Sequence, residues 1–520
     1  MFNLSLILED SARRYANHVA ISDGKIEMSY TQLNQQVNRL ANALKNIGLI
    51  SGDKIAMSVP NIIDFPVIYY AVLKLGAIVV PLNILLKKDE ILYHLDDSNA
   101  KVYFCYSNEE TLPIADQCFY AFNKASQCTH FITLDQNIQF VDERIIYYNN
   151  FIKSHSNEFT SAQTGADNTA VLVYTSGTTG LPKGAELTHF NLFCNAQLVA
   201  DLFETSNRDV QLLVLPLFHI FGMTTLMNAG IYRGAKHVLV PRFDPQTIME
   251  IIVQQNITVF AGVPTMYWAL LNFHHQQLRD EDISNSLRLC VSGGASLAVK
   301  VLQDFQDRFN VQVIEGYGMS EGSPVVTFND IRLGFKPGSI GLPVWGVDVK
   351  IIDQDGNTLP NYETGELVFR GHNVMKGYYN KHTATEEAIE NGWMHSGDVA
   401  YRDDEGFYFI VDRTKDMIIR GGMNVYSREI EEIMMKHPAI SLVAVIGIPD
   451  EKLGEEIKAV VVLKEQEEIS EDELICWTKD RLAKYKYPRV IHFANALPIS
   501  ATGKILKKEL RAADNEKLNK

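Results

Sequence analysis

The segment 174–184 holds the densest cluster of groups that could bind an anion, and its sequence is YTSGTTGLPKG. Glycines let backbone N–H groups approach an anion, while hydroxyls and a lysine add donors and charge. The candidate phosphate-binding residues are Thr175, Ser176, Gly177, Thr178, Thr179, Gly180 and Lys183. The segment is not a Walker loop, because Pro182 and Gly184 replace its second glycine and its Ser/Thr. It predicts a polyphosphate-binding loop after a buried strand; the alternative is a flexible surface loop.

Two further segments, 292–295 and 315–321, each follow a predicted strand and are rich in small residues. Small residues allow a flat ring to approach the backbone, and Tyr317 offers a stacking face. Glu321 offers a hard oxygen of the kind that Mg²⁺ takes together with nucleotide phosphates. The glycine spacing after Gly316 is one residue off the dinucleotide fingerprint, so it does not predict a dinucleotide site.

Three polar residues are ambiguous on sequence grounds. His219 lies in the apolar segment LPLFHIFG, where a histidine is more often a satisfied core residue than a ligand. Asp398 follows a glycine, as turn residues commonly do, and Lys504 lies in a lysine-rich tail where solvated lysines are the rule. For all three residues, type and local spacing leave open both a structural or solvated role and a role in ligand binding.

The elements that must position these residues alternate between apolar strand-like runs and helix-like stretches from about residue 55 to residue 315. We predict strands at 171–174, 211–215, 237–240, 258–262, 287–292 and 311–315. We predict a helix over 188–203, capped by Thr188. Alternation of this kind predicts an α/β fold with largely buried sheets.

The pattern changes after about residue 339. Short runs at 347–353, 365–370 and 406–412 are separated by turn signals and predict an antiparallel, barrel-like β unit. The last hundred residues predict a separate α+β domain. Its predicted features are a helix capped by Ser427, strands at 442–448 and 457–463, a capping box starting at Ser470 and a helix over 505–511. We place the border of an N-terminal domain, 1–412, and a mobile C-terminal domain, 413–520, in the polar stretch after the third β run.

Composition excludes some classes of function. The 520 residues carry a formal net charge of −15, without the overall basic character typical of nucleic-acid-binding proteins. Six cysteines are scattered without a Cys-x-x-Cys pair, which favours a reducing, cytoplasmic location. The first ten residues lack the basic start of a signal peptide. The apolar run 65–86 is expected to be a buried helix and strand broken at Gly76, not a membrane span.

Taken in order, the segments resemble the adenylate-forming, AMP-producing ligases. This family includes acyl-CoA synthetases, aryl-CoA ligases, peptide-synthetase adenylation domains and beetle luciferases. The resemblance extends from residues 29–31 to the segment 498–506 and includes 174–184, 215–222, 292–295, 315–321, 392–398 and 421–424. It implies ATP and Mg²⁺ as cofactors and coenzyme A as co-substrate. It also implies a large body of two α/β sheets and a β-barrel-like unit, with a small mobile C-terminal domain.

The resemblance assigns expected roles to single residues. The nucleotide contacts that it implies, beyond the phosphate loop, are Gly294, Ala295, Glu315, Gly316, Tyr317, Gly318, Ser320, Asp398 and Arg413. Mg²⁺ is expected at Glu321 and Thr175, and Lys183, Glu321, His219 and Lys504 are the expected catalytic set. His219 would gate the acid pocket, and Lys504 would bridge the acid carboxylate and the α-phosphate. The resemblance further implies a hinge at Lys415 and a pantetheine contact at Gly421 and Gly422.

The acid substrate is less determined. In amino-acid-activating members of the family an Asp at the pocket mouth pairs with the substrate amine, and the segment 218–221 has no acid, so the resemblance disfavours an amino acid. The residues expected to line the acid pocket are mostly apolar and favour a fatty acid, which we expect to be of medium or long chain; they are Phe221, Met223, Thr224, Met227, 262–266 and 323–327. An aryl or shorter acid, transfer to a carrier protein instead of coenzyme A, and an adenylate sensor without turnover stay open as alternatives. A fatty substrate leaves peripheral membrane contact open, and the oligomeric state is left between monomer and homodimer. No nucleic-acid partner is expected.

Overall fold

The computed structural model describes residues 2–108, 110–134, 142–175, 181–450 and 452–518. The strands are, in chain order, β1 (Val19–Ser22), β2 (Glu27–Ser29), β3 (Lys54–Ser58), β4 (Ile78–Pro81), β5 (Ala100–Cys105), β6 (His130–Thr133), β7 (Ile145–Tyr147), β8 (Thr169–Thr175), β9 (Lys183–Thr188), β10 (Val210–Leu213), β11 (Lys236–Leu239), β12 (Val259–Gly262), β13 (Leu289–Ser292), β14 (Val313–Gly318), β15 (Val325–Phe328), β16 (Leu342–Pro343), β17 (Val347–Ile352), β18 (Gly365–Gly371), β19 (Gly377–Tyr378), β20 (Ile389–Glu390), β21 (Trp393–Arg402), β22 (Tyr408–Arg413), β23 (Ile418–Arg420), β24 (Met423–Val425), β25 (Ile440–Asp450), β26 (Gly454–Leu463) and β27 (Val490–Phe493).

The helices lie between these strands in the order that the alternation predicts. They are α1 (Leu6–Arg14), α2 (Tyr30–Asn46), α3 (Asp64–Lys74), α4 (Lys88–Ser98), α5 (Ala115–Lys124), α6 (Tyr148–Lys153), α7 (His189–Leu202), α8 (Ala229–Arg233), α9 (Pro245–Gln254), α10 (Pro264–Asn272), α11 (Asp280–Ser284), α12 (Val299–Phe309), α13 (His382–Ala388), α14 (Ser427–Met434), α15 (Glu471–Lys479) and α16 (Lys507–Leu518). A π-helix spans Phe221–Asn228, and a short 3₁₀ turn spans Ser320–Gly322.

Among the described residues, two large α/β sheets form the N-terminal body. One sheet has nine strands in the order β16-β15-β14-β13-β12-β10-β11-β1-β2, and the other has eight in the order β19-β9-β8-β4-β3-β5-β6-β7. In the first sheet β10, β12, β13 and β14 are neighbours and run parallel. Their carboxyl ends therefore meet at one edge. One continuous apolar core joins the two sheets, and the α/β prediction is confirmed.

Local sequence signals explain where individual elements begin. Thr188 caps α7 as predicted: its side chain accepts from the Asn191 backbone, and the Asn191 side chain accepts from the Thr188 backbone. The helix α3 is buried over most of its length and ends before Gly76, which adopts φ +74°. A strand follows at once, so the apolar run 65–86 is the predicted buried helix and strand.

A five-stranded antiparallel sheet of β17, β18, β21, β20 and β22 follows the two α/β sheets. The C-terminal part has a second five-stranded sheet, in which β24, β23, β26 and β25 are in order and β27 joins β26. Its own apolar core includes Ile418, Ile430, Met434 and Val445. The predicted border between residues 412 and 413 falls inside β22.

Two local predictions in this part have different outcomes. The capping box at Ser470 forms with Glu473. The predicted Ser427 cap is wrong, because Ser427 is the first residue of α14 and its hydroxyl donates to Oδ2 of Asp412 at 2.8 Å. The Ser427 hydroxyl is therefore hydrogen-bonded to a carboxylate 15 residues away in sequence and not to the backbone of the helix start. Within the described residues, no helix combines the length and apolar character needed to cross a membrane.

Candidate functional site

The candidate site lies where the four adjacent parallel strands end. The chain leaves β10 toward His219, β12 toward Thr265 and β13 toward Gly294, while Tyr317 lies near the end of β14 and Glu321 follows that strand. In open α/β sheets, ligands bind in the crevice outside the carboxyl ends of the strands. Sheet order therefore brings together segments that are far apart in the sequence.

Glu321 is the buried acid of the site. Its Oε1 accepts hydrogen bonds from the Thr175 hydroxyl and from the Tyr378 hydroxyl, each at 2.9 Å. Burial, and then the Glu321 carboxylate, raise the pKa of the Tyr378 hydroxyl well above its usual value, so it stays a donor. The Lys183 ammonium lies 4.5 Å from the centre of the Tyr378 ring. The structure thus brings Thr175 into contact with Glu321, and it places Lys183 on the Tyr378 ring whose hydroxyl donates to the same carboxylate.

The phosphate loop joins β8 to β9, and Thr175 pairs with Lys183 in that hairpin. Ser176, Gly177, Thr178, Thr179 and Gly180 lie outside the described residues. Helix α4 contacts the chain on both sides of the loop. The Asp97 carboxylate accepts from the Tyr174 hydroxyl at 2.9 Å, and the Tyr93 hydroxyl donates to the Pro182 carbonyl at 2.7 Å. Tyr93 and Asp97 are four residues apart, so they share one helix face.

Tyr317 and Asp398 form a second polar corner. The Tyr317 hydroxyl donates to Oδ2 of Asp398 at 2.5 Å, and the Arg413 Nε lies 3.2 Å from Oδ1. Burial raises the pKa of the Asp398 carboxyl, and the nearby Arg413 guanidinium opposes that rise. The geometry groups three of the residues for which sequence resemblance implied nucleotide contacts.

The glycines of the site differ in what lies next to them: Gly294 lies next to Lys504, whereas Gly316 and Gly318 are closely packed against residues 324–328. Gly294 adopts φ +81°, and a Cβ there would lie 3.4 Å from Cε of Lys504. A Cβ at Gly316 would lie 2.1 Å from Cδ2 of Phe328, and one at Gly318 would lie 2.0 Å from the Pro324 carbonyl oxygen. Gly316 and Gly318 are therefore required by the packing of β14 against the next strand. Ala295 is exposed, and Ser320 begins the 3₁₀ turn that carries Glu321.

Glu315 is buried behind the nucleotide segment. Its Oε1 accepts from the Leu297 backbone N–H at 3.1 Å, while its Oε2 has no hydrogen-bond partner among the described residues. Burial raises the pKa of this carboxyl to about 7, although the Arg428 guanidinium from α14 opposes the rise. The charges of Arg428 and Glu432 on α14 act on Glu315, so this carboxyl lies close to the C-terminal part of the chain.

His219 lies just before the π-helix. Its Nδ1 accepts from the Phe221 backbone N–H at 3.3 Å. Burial, and then the Lys504 charge, lower the pKa of His219 to about 3, so the ring is neutral at physiological pH. The π-helix, a rare element often found at functional sites, continues through buried Met223 and Met227.

Asn61 fixes the segment that leads to His219. Its Nδ2 donates to the carbonyls of Leu213 and Leu215 at 2.8 and 2.9 Å, and its Oδ1 accepts from the Leu217 backbone N–H at 2.9 Å. A buried amide from the other α/β sheet therefore holds three points of this segment. Sequence reasoning missed Asn61, because nothing in its local sequence indicates partners more than 150 residues away.

Lys504 reaches into this site from the C-terminal part. Burial, and then the Arg413 charge, lower the pKa of Lys504 to about 8, while Asp398 opposes that shift. The lysine also lowers the pKa of His219, so the two side chains are electrostatic neighbours. The structure thus brings Lys504, His219, Gly294 and Asp398 together.

The remaining predicted residues lie apart from this cluster. Lys415 follows β22 and is exposed, and its charge acts on Asp398. Gly421 and Gly422 form the exposed turn between β23 and β24, with φ +58° and +79°. This arrangement places Lys504 in the site and leaves the predicted pantetheine turn in solvent.

The oxygen donors fit a magnesium ion. Glu321 and Thr175 supply a carboxylate and a hydroxyl, and Mg²⁺ typically takes one or two carboxylates together with substrate phosphates. Among the described residues there is no cluster of three or more His, Cys, Asp or Glu that would form an all-protein cage. Glu321 and Thr175 are therefore the groups that would hold the ion.

Comparison with known families gives matches over most of the chain. Residues 8–379 match the family described as AMP-binding enzyme, and residues 429–504 match the AMP-binding enzyme C-terminal domain. A long-chain-fatty-acid–CoA ligase of Bacillus subtilis is 37% identical over 533 residues, covering 99% of this chain and 95% of the relative. A feruloyl-CoA synthase of an Amycolatopsis species is 35% identical over 501 residues and covers 96% of each chain.

Solved structures show the same architecture. The crystal structure of ATP-bound MatB from Rhodopseudomonas palustris superposes with a TM-score of 0.90 at 30% identity, covering 98% of each chain. The apo crystal structure of that protein superposes with a TM-score of 0.78 and covers 99% of each chain. The arrangement of this chain is therefore closer to the ATP-bound structure than to the apo one.

Proposed function

Because the chain belongs to the AMP-binding enzyme family and is an AMP-forming acid–thiol ligase that uses ATP, Mg²⁺ and coenzyme A, we propose that its acid is a medium- or long-chain fatty acid. The acid would be converted to an acyl-adenylate with release of pyrophosphate. Coenzyme A would then take the acyl group and AMP would leave.

The observation that carries the adenylation step is the position of Lys504 beside Gly294 and His219. A carboxylate and an α-phosphate repel each other, so bringing them together requires positive charge at the point of contact. We propose that the Lys504 ammonium supplies that charge. Mg²⁺ held at Glu321 and Thr175 would neutralise part of the phosphate charge. Lys183, at the start of β9 after the phosphate loop, would neutralise more of it.

We propose that a second set of residues binds and orients the nucleotide. Asp398 would accept hydrogen bonds from the ribose hydroxyls, with Arg413 and Tyr317 holding its carboxylate. Gly294, Ala295 and Tyr317 would contact adenine, and Ser320 a phosphate. His219, neutral and half-buried, would border the acid carboxylate and swing between the two half-reactions.

Thioester formation needs a second arrangement of the chain. Gly421 and Gly422 are exposed while Lys504 occupies the site, so one arrangement cannot use both. We propose that residues 413–520 rotate about Lys415 relative to residues 1–412, which removes Lys504 and brings the glycine turn to the acyl-adenylate. A few backbone angles in a border segment suffice for such a motion.

Two kinds of support favour the fatty acid. The predicted pocket lining includes buried Met223, Met227 and Met266, and no acid lies in 218–221 to pair with a substrate amine. A relative at 37% identity is a long-chain-fatty-acid–CoA ligase. The second candidate is an aryl acid, favoured by the feruloyl-CoA synthase at 35% identity.

The deciding experiment measures AMP and acyl-CoA formation with purified full-length protein, ATP, Mg²⁺ and coenzyme A. The acids are straight-chain fatty acids of graded length, ferulate and benzoate. We expect the highest kcat/KM for a medium- or long-chain acid. A higher value for an aryl acid would replace the fatty-acid proposal with the aryl one. Replacing coenzyme A by a phosphopantetheinyl carrier protein tests the carrier alternative.

We also propose a cytoplasmic location, supported by the scattered spacing of the six cysteines, four of which are buried. Cell fractionation with a tagged full-length chain tests it. Recovery of the chain in a washed membrane fraction would contradict this location and support peripheral membrane contact.

A further inference from the structure

Helix α10 of the body contacts the C-terminal part at two points. The Thr265 hydroxyl donates to the Gly503 carbonyl at 2.8 Å, across 238 residues of sequence. The Trp268 indole N–H donates to the Ser441 carbonyl at 2.8 Å, across 173 residues. Residues three apart lie on one helix face, so a single face of α10 provides both contacts.

The first contact holds the turn that carries Lys504. Gly503 adopts φ +79°, and a Cβ there would lie 2.4 Å from Cγ2 of Val263, which leaves no room for a side chain. Within the turn, the Ser500 hydroxyl accepts from the Lys504 backbone N–H at 3.0 Å. The body therefore holds the backbone next to the lysine, and the lysine side chain reaches Gly294.

The second contact is made to a different element of the C-terminal unit. Ser441 lies on β25, whereas the lysine turn lies between β27 and α16. Two separated contacts fix the orientation of a rigid unit better than one. On a second body surface, the Val299 backbone N–H lies 3.4 Å from Oε2 of Glu432, and an Arg428 N–H donates to the Gly338 carbonyl at 3.4 Å.

We infer that Thr265 and Trp268 are positioning residues that hold the C-terminal unit in the arrangement with Lys504 in the site, so that they support adenylation and not thioester formation. This inference rests on the proposed function. Both hydrogen bonds must break if residues 413–520 rotate, because both acceptors belong to that unit. Each residue is therefore inferred to shift the equilibrium toward the arrangement with Lys504 in the site and away from the rotated one.

The test uses the full-length variants Thr265→Val, which is nearly isosteric and loses the hydroxyl donor, and Trp268→Phe, which keeps an aromatic ring of smaller size and loses the indole donor. One hydrogen bond corresponds to about a 2- to 10-fold change in that equilibrium. We expect acid-dependent ATP–pyrophosphate exchange to fall in each variant, by at most about that factor, because exchange follows the population of the arrangement with Lys504 in the site. Thioester formation from supplied acyl-adenylate and coenzyme A should be at least as fast as in the parent chain. Thr265→Ser should restore exchange.

Trp477→Phe is the matched control, because that indole packs on His437 and Arg481 within the C-terminal unit. It should leave both half-reactions unchanged. Unchanged exchange in Trp268→Phe and Thr265→Val, or an equal loss of both half-reactions, would overturn the inference.

A structural readout separates this inference from the proposed function. Cys476 is exposed, whereas the other cysteines are buried or half-buried. A dye on Cys476 and a second on α9 through Gln246→Cys report energy transfer between the two units with ATP present. Trp268→Phe should lower the population that has the transfer efficiency of the ATP-bound parent chain, and an unchanged population would overturn the inference. A parent chain that shows this population but no exchange with any acid would contradict the proposed function alone.

Discussion

The Thr175 hydroxyl donates a 2.9 Å hydrogen bond to Oε1 of Glu321, across 146 residues of sequence. Thr175 ends β8 of the eight-stranded sheet, and Glu321 follows β14 of the nine-stranded sheet. Tyr378 of β19 donates to the same oxygen. One carboxylate next to the nine-stranded sheet is thus oriented by two hydroxyls of the eight-stranded sheet, and small changes around it should be measurable.

Replacing this carboxylate tests the magnesium assignment. We expect Glu321→Gln to lower the rate of adenylation by about 100-fold or more, since charge at the phosphates is then poorly neutralised. The measurement is pyrophosphate exchange as a function of Mg²⁺ concentration. Tyr378→Phe is the matched control: it keeps the ring and the carboxylate, so its loss should stay within about 10-fold. Full exchange at ordinary Mg²⁺ in Glu321→Gln would contradict the assignment.

Removing the site lysine should separate the half-reactions. Lys504→Ala is expected to lose about 100-fold or more in adenylation, because it removes the charge that we propose to lie between the two anions. It should still convert supplied acyl-adenylate and coenzyme A to thioester at a rate within about 3-fold of the parent chain, since that step would use the proposed second arrangement. Parallel loss of both rates would show that Lys504 has a structural role instead.

The pH dependence of adenylation follows from the pKa of Lys504. The pKa of Lys504 is lowered to about 8, so its useful charged form disappears as the pH rises through that value. We expect kcat/KM for ATP to fall above pH 8. His219, with its pKa lowered to about 3, should add no step between pH 5 and 9. Lys504→Arg should remove the alkaline decline, because arginine stays charged. A decline that persists in this variant would show that a different group titrates.

Buried Glu315 should affect stability in the opposite direction from a paired carboxylate. Its pKa is raised to about 7, so between pH 4.5 and 7 the folded chain binds this proton more tightly than the unfolded chain. Its contribution to stability is present at low pH and is lost as the pH rises through this range. Glu315→Gln should therefore gain about 1 to 3 kcal/mol relative to the parent chain between pH 5 and pH 8. Denaturant unfolding at both pH values measures this difference, and equal offsets would contradict the prediction.

Close packing predicts a stability defect at Gly316. A Cβ there would lie 2.1 Å from Cδ2 of Phe328, so Gly316→Ala should destabilise the body by about 1 to 3 kcal/mol. Thermal unfolding of the parent and variant chains measures it. The second change Phe328→Leu should recover part of the loss, because a smaller side chain leaves room for the methyl group. No recovery would show that the defect comes from the backbone of β14 and not from Phe328.

Much of the fold follows from the sequence, because its signals are local. The strand periodicity, the Thr188 cap and the Ser470 capping box each act within a few residues, and the structure has these elements where predicted. The glycine- and hydroxyl-rich loop likewise indicates anion binding from composition alone. Ser427 shows the limit of such signals, because its predicted cap is replaced by a hydrogen bond to Asp412.

Which distant side chains come together in the site was decided only by the tertiary structure. Sequence resemblance assigned a role to Lys504, but its place beside Gly294, and the fall of its pKa to about 8, depend on burial between two units. Asn61 and Trp268 carried no local signal, since their partners lie more than 150 residues away. Local propensities determine which elements form. The order of strands in the sheets, and the docking of one unit on another, determine which side chains share a site.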